Sequence, residues 1–364
     1  MVNPARTVFG RGTADSLLAE SSAFGERGVL VHGASLRSSG ALVRLMDGAA
    51  AARSVETWEC PGGEPTLDHL AGLRSFARES GALWVAGVGG GSAMDLGKAC
   101  AGLMTAAGDL VAYHNGAVIE APGIPFIAVP TTAGSGSEAA MVSVLTNTAT
   151  GIKKSFRHPF MAPRLVILDP NLLASAPPHV IAHSGMDALT QAVESYLSRS
   201  AMWLSETLSL KAVRLVNASV EEVYTDRTAA CADDLMLGAH MAGLALSYAR
   251  LGVVHGLAHP LGERYQIAHG HICALCLPAA LRFNRDAIPD KYATLSEAVG
   301  GDILERVETL LENLEVSSPL IGHPPPDDAD LIAEVLGSGS TKANPRDVGP
   351  DDVKALLAEL FQTD

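Results

Sequence analysis

Short apolar runs alternate with helix-spaced segments through the first half of the chain. Gly28–His32 reads as a buried strand and the first of a sheet, Leu83–Val88 as a second and Pro125–Val129 as a third. Leu165–Leu168 is a fourth, closed by Asp169-Pro170. Between the first two, Leu67–Ala77 sets Leu70, Leu73, Phe76 and Ala77 on one helical face. Strands that are apolar throughout and separated by helices indicate a parallel sheet covered on both sides. After about Pro178 the strand pattern stops. Asp187–Leu197, Leu204–Val216, Ala229–Tyr248, Ile303–Leu314 and Pro350–Phe361 all carry helical spacing, with Asp187 at the start of its helix. The pattern therefore predicts a Rossmann-like α/β domain with a parallel sheet over residues 1–176 and an all-α domain over 177–364. Pro177-Pro178 breaks the chain at the boundary, and Gly322–Asp328 and Gly337–Ser340 read as surface loops.

Composition narrows the function classes. The 364 residues are 48% hydrophobic and 18% charged, which excludes wholesale disorder. A net charge of −14 argues against a nucleic-acid partner, which needs a concentrated basic face. No stretch approaches the roughly 20 apolar residues that span a bilayer, and the first residues lack a basic region followed by an apolar core. A cytoplasmic protein without a membrane partner is the expectation. Five cysteines stand at no disulfide-like spacing. Cys273-Ala-Leu-Cys276 has the spacing of a redox or zinc pair, but it lies in an apolar run with no second pair elsewhere. It is read as two small buried side chains on a helix.

Two glycine- and hydroxyl-rich turns carry the first candidate chemistry. Gly89-Gly90-Gly91-Ser92 follows a strand and opens a helical stretch, so the backbone can approach a pyrophosphate that the helix start then holds. The spacing is not Gly-x-Gly-x-x-Gly, and a tight turn without ligand is the alternative. Pro130–Glu138 follows the third strand, and Thr131, Thr132 and Ser135 offer groups to phosphate or ribose. Ligands sit at the carboxyl ends of strands in such sheets. Lys98, Lys153 and Lys154 are candidate positive charges, set against ordinary solvated lysines.

The second candidate is a histidine cluster. His255, His259 and His269 lie within fifteen residues, beside Gly256, Pro260 and Gly270. Imidazoles with a carboxylate make a divalent metal site with an open position. Asp187 supplies a carboxylate, and Gln191 stands one turn later on the same face. A structural or substrate-contacting cluster is the alternative.

Together these segments resemble the iron-dependent (group III) alcohol dehydrogenase family, with its glycerol dehydrogenase and maleylacetate reductase relatives. The likeness runs from Phe9-Gly10-Arg11-Gly12 through Gly89–Lys98, including Asp95, and through Pro130–Glu138. It continues in Gly185–Thr190, Val254–Gly262 and Ala268-His269-Gly270, and ends near Ala343-Asn344-Pro345-Arg346. The resemblance implies a dinucleotide domain, a helical domain and a metal between them. It implies alcohol–carbonyl interconversion by hydride transfer on a small-molecule substrate, and a homodimer or larger homo-oligomer. By position, Asp187, His255 and His269 match three metal ligands, and His259 matches a histidine near the nicotinamide considered for proton transfer. The family's fourth ligand, a histidine one turn after the aspartate, is Gln191 here, a poorer ligand for late transition metals. Zinc on one aspartate and two histidines, as in the glycerol dehydrogenase branch, stands beside iron. Asp187 argues against the maleylacetate reductase branch, which carries asparagine there. A maleylacetate-reductase-like reductase of an anionic substrate, a lyase or cyclase related to dehydroquinate synthase, and a non-catalytic nucleotide binder are the alternative readings.

The cofactor is NADP or NAD. In many NAD-preferring relatives an acidic residue follows the strand that Gly28–His32 resembles, and here Gly33 stands at about that place. The missing carboxylate leaves room for a 2′-phosphate, with Ser35 and Arg37 as donors. The expectation is that NADP is accepted at least as well as NAD.

Overall fold

The computed structural model describes residues 3–47, 54–326 and 328–362. Asp327, inside the loop expected at Gly322–Asp328, lies outside the described residues. The chain divides into two compact units, 1–132 with 136–176, and 133–135 with 177–364.

The first unit is built on β1 (Thr7–Phe9), β2 (Arg27–His32), β3 (Ser54–Glu59), β4 (Trp84–Gly89), β5 (Phe126–Pro130) and β8 (Leu165–Leu168). They form one sheet in the order β1-β8-β5-β4-β2-β3, with every neighbouring pair parallel. Central strands β4, β5 and β8 are buried along their whole length, which explains why they read as continuous apolar runs. Leu30, Trp84, Ala86, Val88, Ile127, Val129 and Ile167 pack on Ala14, Leu17, Leu18, Leu36 and Leu45 in one core.

Four strands escaped the sequence pattern. Gly28–His32 is not the first strand, because β1 precedes it as a three-residue edge. β3 is the opposite edge, polar and mostly exposed, so it carries no apolar run. β6 (Val142–Asn147) and β7 (Ile152–Arg157) form a separate antiparallel hairpin, turned by Thr148–Gly151 with Gly151 at φ 67°. Lys153 and Lys154 therefore stand on a strand.

The second unit is helical among its described residues. Ala232–Ala249, Ile303–Asn313 and Pro350–Phe361 follow the expected segments closely, whereas the helix expected at Leu204–Val216 runs on from Trp203 to Thr225. The Asp187 helix runs from Pro178 to Leu197, opened by proline at its first position, so Asp187 sits in its interior rather than at its start. The histidine segment is two helices, Val253–Tyr265 and His269–Asn284, with Pro260 and Pro278 inside them. Gln266 in the left-handed region, at φ 53°, ends the first.

Candidate nucleotide turn and metal centre

In the first unit the sheet delivers Gly89-Gly90 to the start of the helix Gly91–Gly102. Gly90 occupies the N-cap position without a side-chain bond, so the first amides of a twelve-residue helix have no side-chain cap. A Cβ on Gly87 would lie 3.0 Å from the Met94 backbone, so only glycine lets this strand and helix approach so closely. Thr131 donates its amide to the Gly89 carbonyl, and a Cβ on Gly90 would meet Thr132 Oγ1 at 3.6 Å. The two expected turns are thus adjacent. A pocket of about 390 Å³ opens here, lined by Gly33, Glu59, Gly90, Gly91 and Ser92 among others.

Several expected cofactor residues take other work. Lys98 is fully buried, and its ammonium donates to the Ser137 carbonyl, Ser137 Oγ and the Val142 carbonyl at 2.6–2.7 Å. All three of its protons are spoken for, which corrects the expectation that Lys98 faces a phosphate. Asp95 lies 3.7 Å away, accepting from Ser137 Oγ and from the Val144 amide. Burial pushes Asp95 up and Lys98 down from their ordinary pKa values, while each opposes that shift in the other. The pair fastens 137–144 to the Gly91–Gly102 helix and is structural. Lys153 pairs with Glu64 and Lys154 donates to Asn115, and neither lines the pocket. Ser135 belongs with the second unit, where a Cβ on neighbouring Gly134 would meet Ser184 at 2.6 Å. Arg37 forms an ion pair with Glu59 at the end of β3, a carboxylate the sequence reading missed. Ser35 stands beside Gly33, 3.9 Å from where its Cβ would lie.

In the second unit three helices converge. Gly270 permits the approach, since a Cβ there would meet the His183 carbonyl at 2.4 Å. Asp187 Oδ1 then lies 3.5 Å from His255 Nε2 and 3.9 Å from His269 Nε2. Cys273, one turn after His269, brings Sγ to 3.6 Å from His269 Nε2 and 3.8 Å from His255 Nε2. One ligand atom from each of these four residues fits within 4.8 Å of all the others. Cys273 and Cys276 are both buried on one helix as expected, and Cys273 also stands among these four side chains.

The donor chemistry fits a divalent cation. Asp187 Oδ1 and Gln191 Oε1 are buried without a hydrogen-bond partner, a costly arrangement unless something else satisfies them. Burial alone would raise the Asp187 carboxyl, but His255 and His269 outweigh it and, with Gln191, hold it below the usual carboxylate range. Burial likewise pushes the Cys273 thiol up, and the two imidazoles bring it below its ordinary value. Glu194, two turns after Asp187 on the same helix, accepts from His255 Nδ1 at 2.6 Å and from the Val254 amide at 2.7 Å. That bond places the His255 proton on Nδ1 and leaves Nε2 to face Asp187, as metal-binding histidines require. Asn344 Oδ1 accepts from the Val253 amide, so Glu194 and Asn344 together cap the helix that carries His255. Asn344 stood out in the sequence only as part of the Ala343–Arg346 motif, and Glu194 only as one position of a helix-spaced segment. His259, one turn after His255, stacks on His269 with ring centroids 5.1 Å apart.

The family model described as iron-containing alcohol dehydrogenase matches residues 4–170, and its Fe-containing C-terminal counterpart matches 181–361. The sulfoacetaldehyde reductase of Bilophila wadsworthia is 31% identical over 321 residues, 82% of each chain. The lactaldehyde reductase of Escherichia coli K12 is 29% identical over 98% of this chain and 96% of its own. Among solved structures, the sulfoacetaldehyde reductase from Bifidobacterium kashiwanohense in complex with NAD+ superposes with a TM-score of 0.92. It is 27% identical and covers 100% of this chain and 98% of its own.

Proposed function

The chain belongs to the iron-containing alcohol dehydrogenase family and is an alcohol–aldehyde oxidoreductase, and we propose that Asp187, His255 and His269 hold its divalent metal. The observation that carries this reading is the buried, unpartnered Asp187 oxygen between two imidazole nitrogens at 3.5 and 3.9 Å. Distances of that size are too long for strong hydrogen bonds and suit ligands sharing one ion. The lyase and non-catalytic alternatives give way to the family assignment.

A metal bound there would supply Lewis acidity toward the substrate oxygen, and a nicotinamide would give or take the hydride. The protein's own groups do the rest. Glu194 fixes the tautomer and direction of His255. Asp187 supplies negative charge without a proton. His259, packed on His269 at the edge of the cluster, carries the substrate hydroxyl proton to or from solvent. The uncapped start of the Gly91–Gly102 helix holds the pyrophosphate. Short-chain aldehydes are the substrate class, by likeness to the sulfoacetaldehyde and lactaldehyde reductases. A homodimer or larger assembly is carried over from the family resemblance.

The pocket also revises the cofactor expectation. The Arg37–Glu59 pair is partly exposed and so weak, yet the Glu59 carboxylate puts negative charge beside Gly33, where a 2′-phosphate would have to sit. NAD is therefore favoured over NADP. Replacing Glu59 by glutamine should raise the NADP-to-NAD ratio of kcat/KM by on the order of tenfold, about 1.4 kcal/mol. An unchanged ratio would remove Glu59 from the ribose site. The reading as a whole is tested by aldehyde-dependent NADH oxidation in protein of measured metal content.

A further inference from the structure

The cluster holds one donor more than the three ligands assigned above. We infer that Cys273 is the fourth metal ligand of this chain, preferred to Gln191, whose neutral amide oxygen is the weaker donor, and that its thiolate makes the centre select zinc over iron. This inference rests on the metal-centre reading.

Geometry supports it first. With metal–nitrogen bonds of about 2.0–2.1 Å and metal–sulfur of about 2.3 Å, a tetrahedral site sets nitrogen and sulfur about 3.6 Å apart. Cys273 Sγ stands 3.6 and 3.8 Å from the two imidazole nitrogens. Asp187 Oδ1 closes the set at 3.5 and 3.9 Å from the same nitrogens. Four donors so disposed from three separate helices are not explained by packing alone, because Cys276, a buried thiol on the same helix as Cys273, joins no such group among the described residues.

Spacing and chemistry agree. Cys273 follows His269 by one helical turn, as Gln191 follows Asp187, so each helix could have supplied the fourth donor from one face. Gln191 is buried beside Asp187 and offers only a neutral amide oxygen. A thiolate is the softer and better donor for zinc, whereas iron(II) gains less from it. The charges also balance: Asp187 and Cys273 as anions neutralise a divalent ion between two neutral imidazoles. Zinc admits a fifth donor during reaction, so four protein ligands do not shut the centre.

Cobalt(II) substitution tests this, since cobalt takes zinc's ligands and reports a thiolate through near-ultraviolet charge-transfer absorption. The cobalt-loaded wild-type protein should show that band, Cys273→Ser should lose it, and Cys276→Ser should keep it. In zinc–iron(II) competition the wild type should retain zinc, and Cys273→Ser should reduce that preference at least tenfold. A cobalt-loaded wild type without the band, or a band that persists in Cys273→Ser, would overturn the assignment. So would Gln191→Ala losing cobalt while Cys273→Ser holds it as tightly as the wild type. A wild-type protein that turns over aldehyde with bound metal yet lacks the band sinks Cys273 alone. One that binds no metal sinks the centre itself.

Discussion

Replacing His269 by alanine should release the metal and lower kcat/KM by about 150-fold or more, about 3 kcal/mol of transition-state stabilisation. His269 opens the helix His269–Asn284 and brings its Nε2 to within 3.9 Å of Asp187 and 3.6 Å of Cys273. Its loss removes one of the two imidazoles and leaves the Asp187 charge with His255 alone. The loss belongs mainly in kcat, because the interaction is strongest when the substrate oxygen carries negative charge. His269 is partly exposed while Asp187 and His255 are buried, so this substitution disturbs the fold least of the three. A variant that keeps both its metal and its turnover would remove His269 from the ligand set.

Replacing Lys98 by alanine should cost about 3–5 kcal/mol of stability in the first unit, the range for stranding one half of a buried ion pair. Lys98 makes three bonds at 2.6–2.7 Å inside the protein, and Asp95, the Ser137 carbonyl and the Val142 carbonyl all depend on it. The alanine variant leaves the Asp95 carboxylate buried without its counter-charge and two carbonyls without a donor. Urea unfolding of the wild type and variant, followed by tryptophan fluorescence, measures this, since Trp84 is buried in the same unit. Adding Asp95→Asn should return part of the loss, because the stranded charge is then gone. A loss below about 1 kcal/mol would mean that solvent reaches the pair, contrary to its burial.

How much of this was legible in the sequence depends on what each residue must satisfy. Buried parallel strands announce themselves because both faces are apolar, so β2, β4, β5 and β8 were found within a residue or so. β1 and β3 were not, because an edge strand needs pairing on one side only and tolerates the polar residues of Ser54–Glu59. In the hairpin β6–β7, β6 alternates buried and half-buried positions and β7 is mostly exposed and carries two lysines, so neither shows a continuous apolar run. The start of the Asp187 helix was hidden because only Ile181 and Ala182 are buried in its first two turns, too few to show a helical period. At the sites, residues recognised by type and spacing, such as Asp187, His255 and His269, do come together. Cys273 and Glu194 could not be placed, because their meaning arises only when separate helices cross. Lys98 shows the converse. A lysine about two helical turns after a glycine-rich turn suggests phosphate, but the fold spends its three protons on two carbonyls and a hydroxyl.

We propose that this chain moves hydride between NAD and a small alcohol–aldehyde pair at a metal centre built on Asp187, His255 and His269. The most direct measurement is aldehyde-dependent NADH oxidation by one preparation as isolated, after chelation to undetectable metal, and after addition of one equivalent of zinc or iron(II). Turnover should disappear with the metal and return with stoichiometric metal. Undiminished turnover in demonstrably metal-free protein would contradict the account.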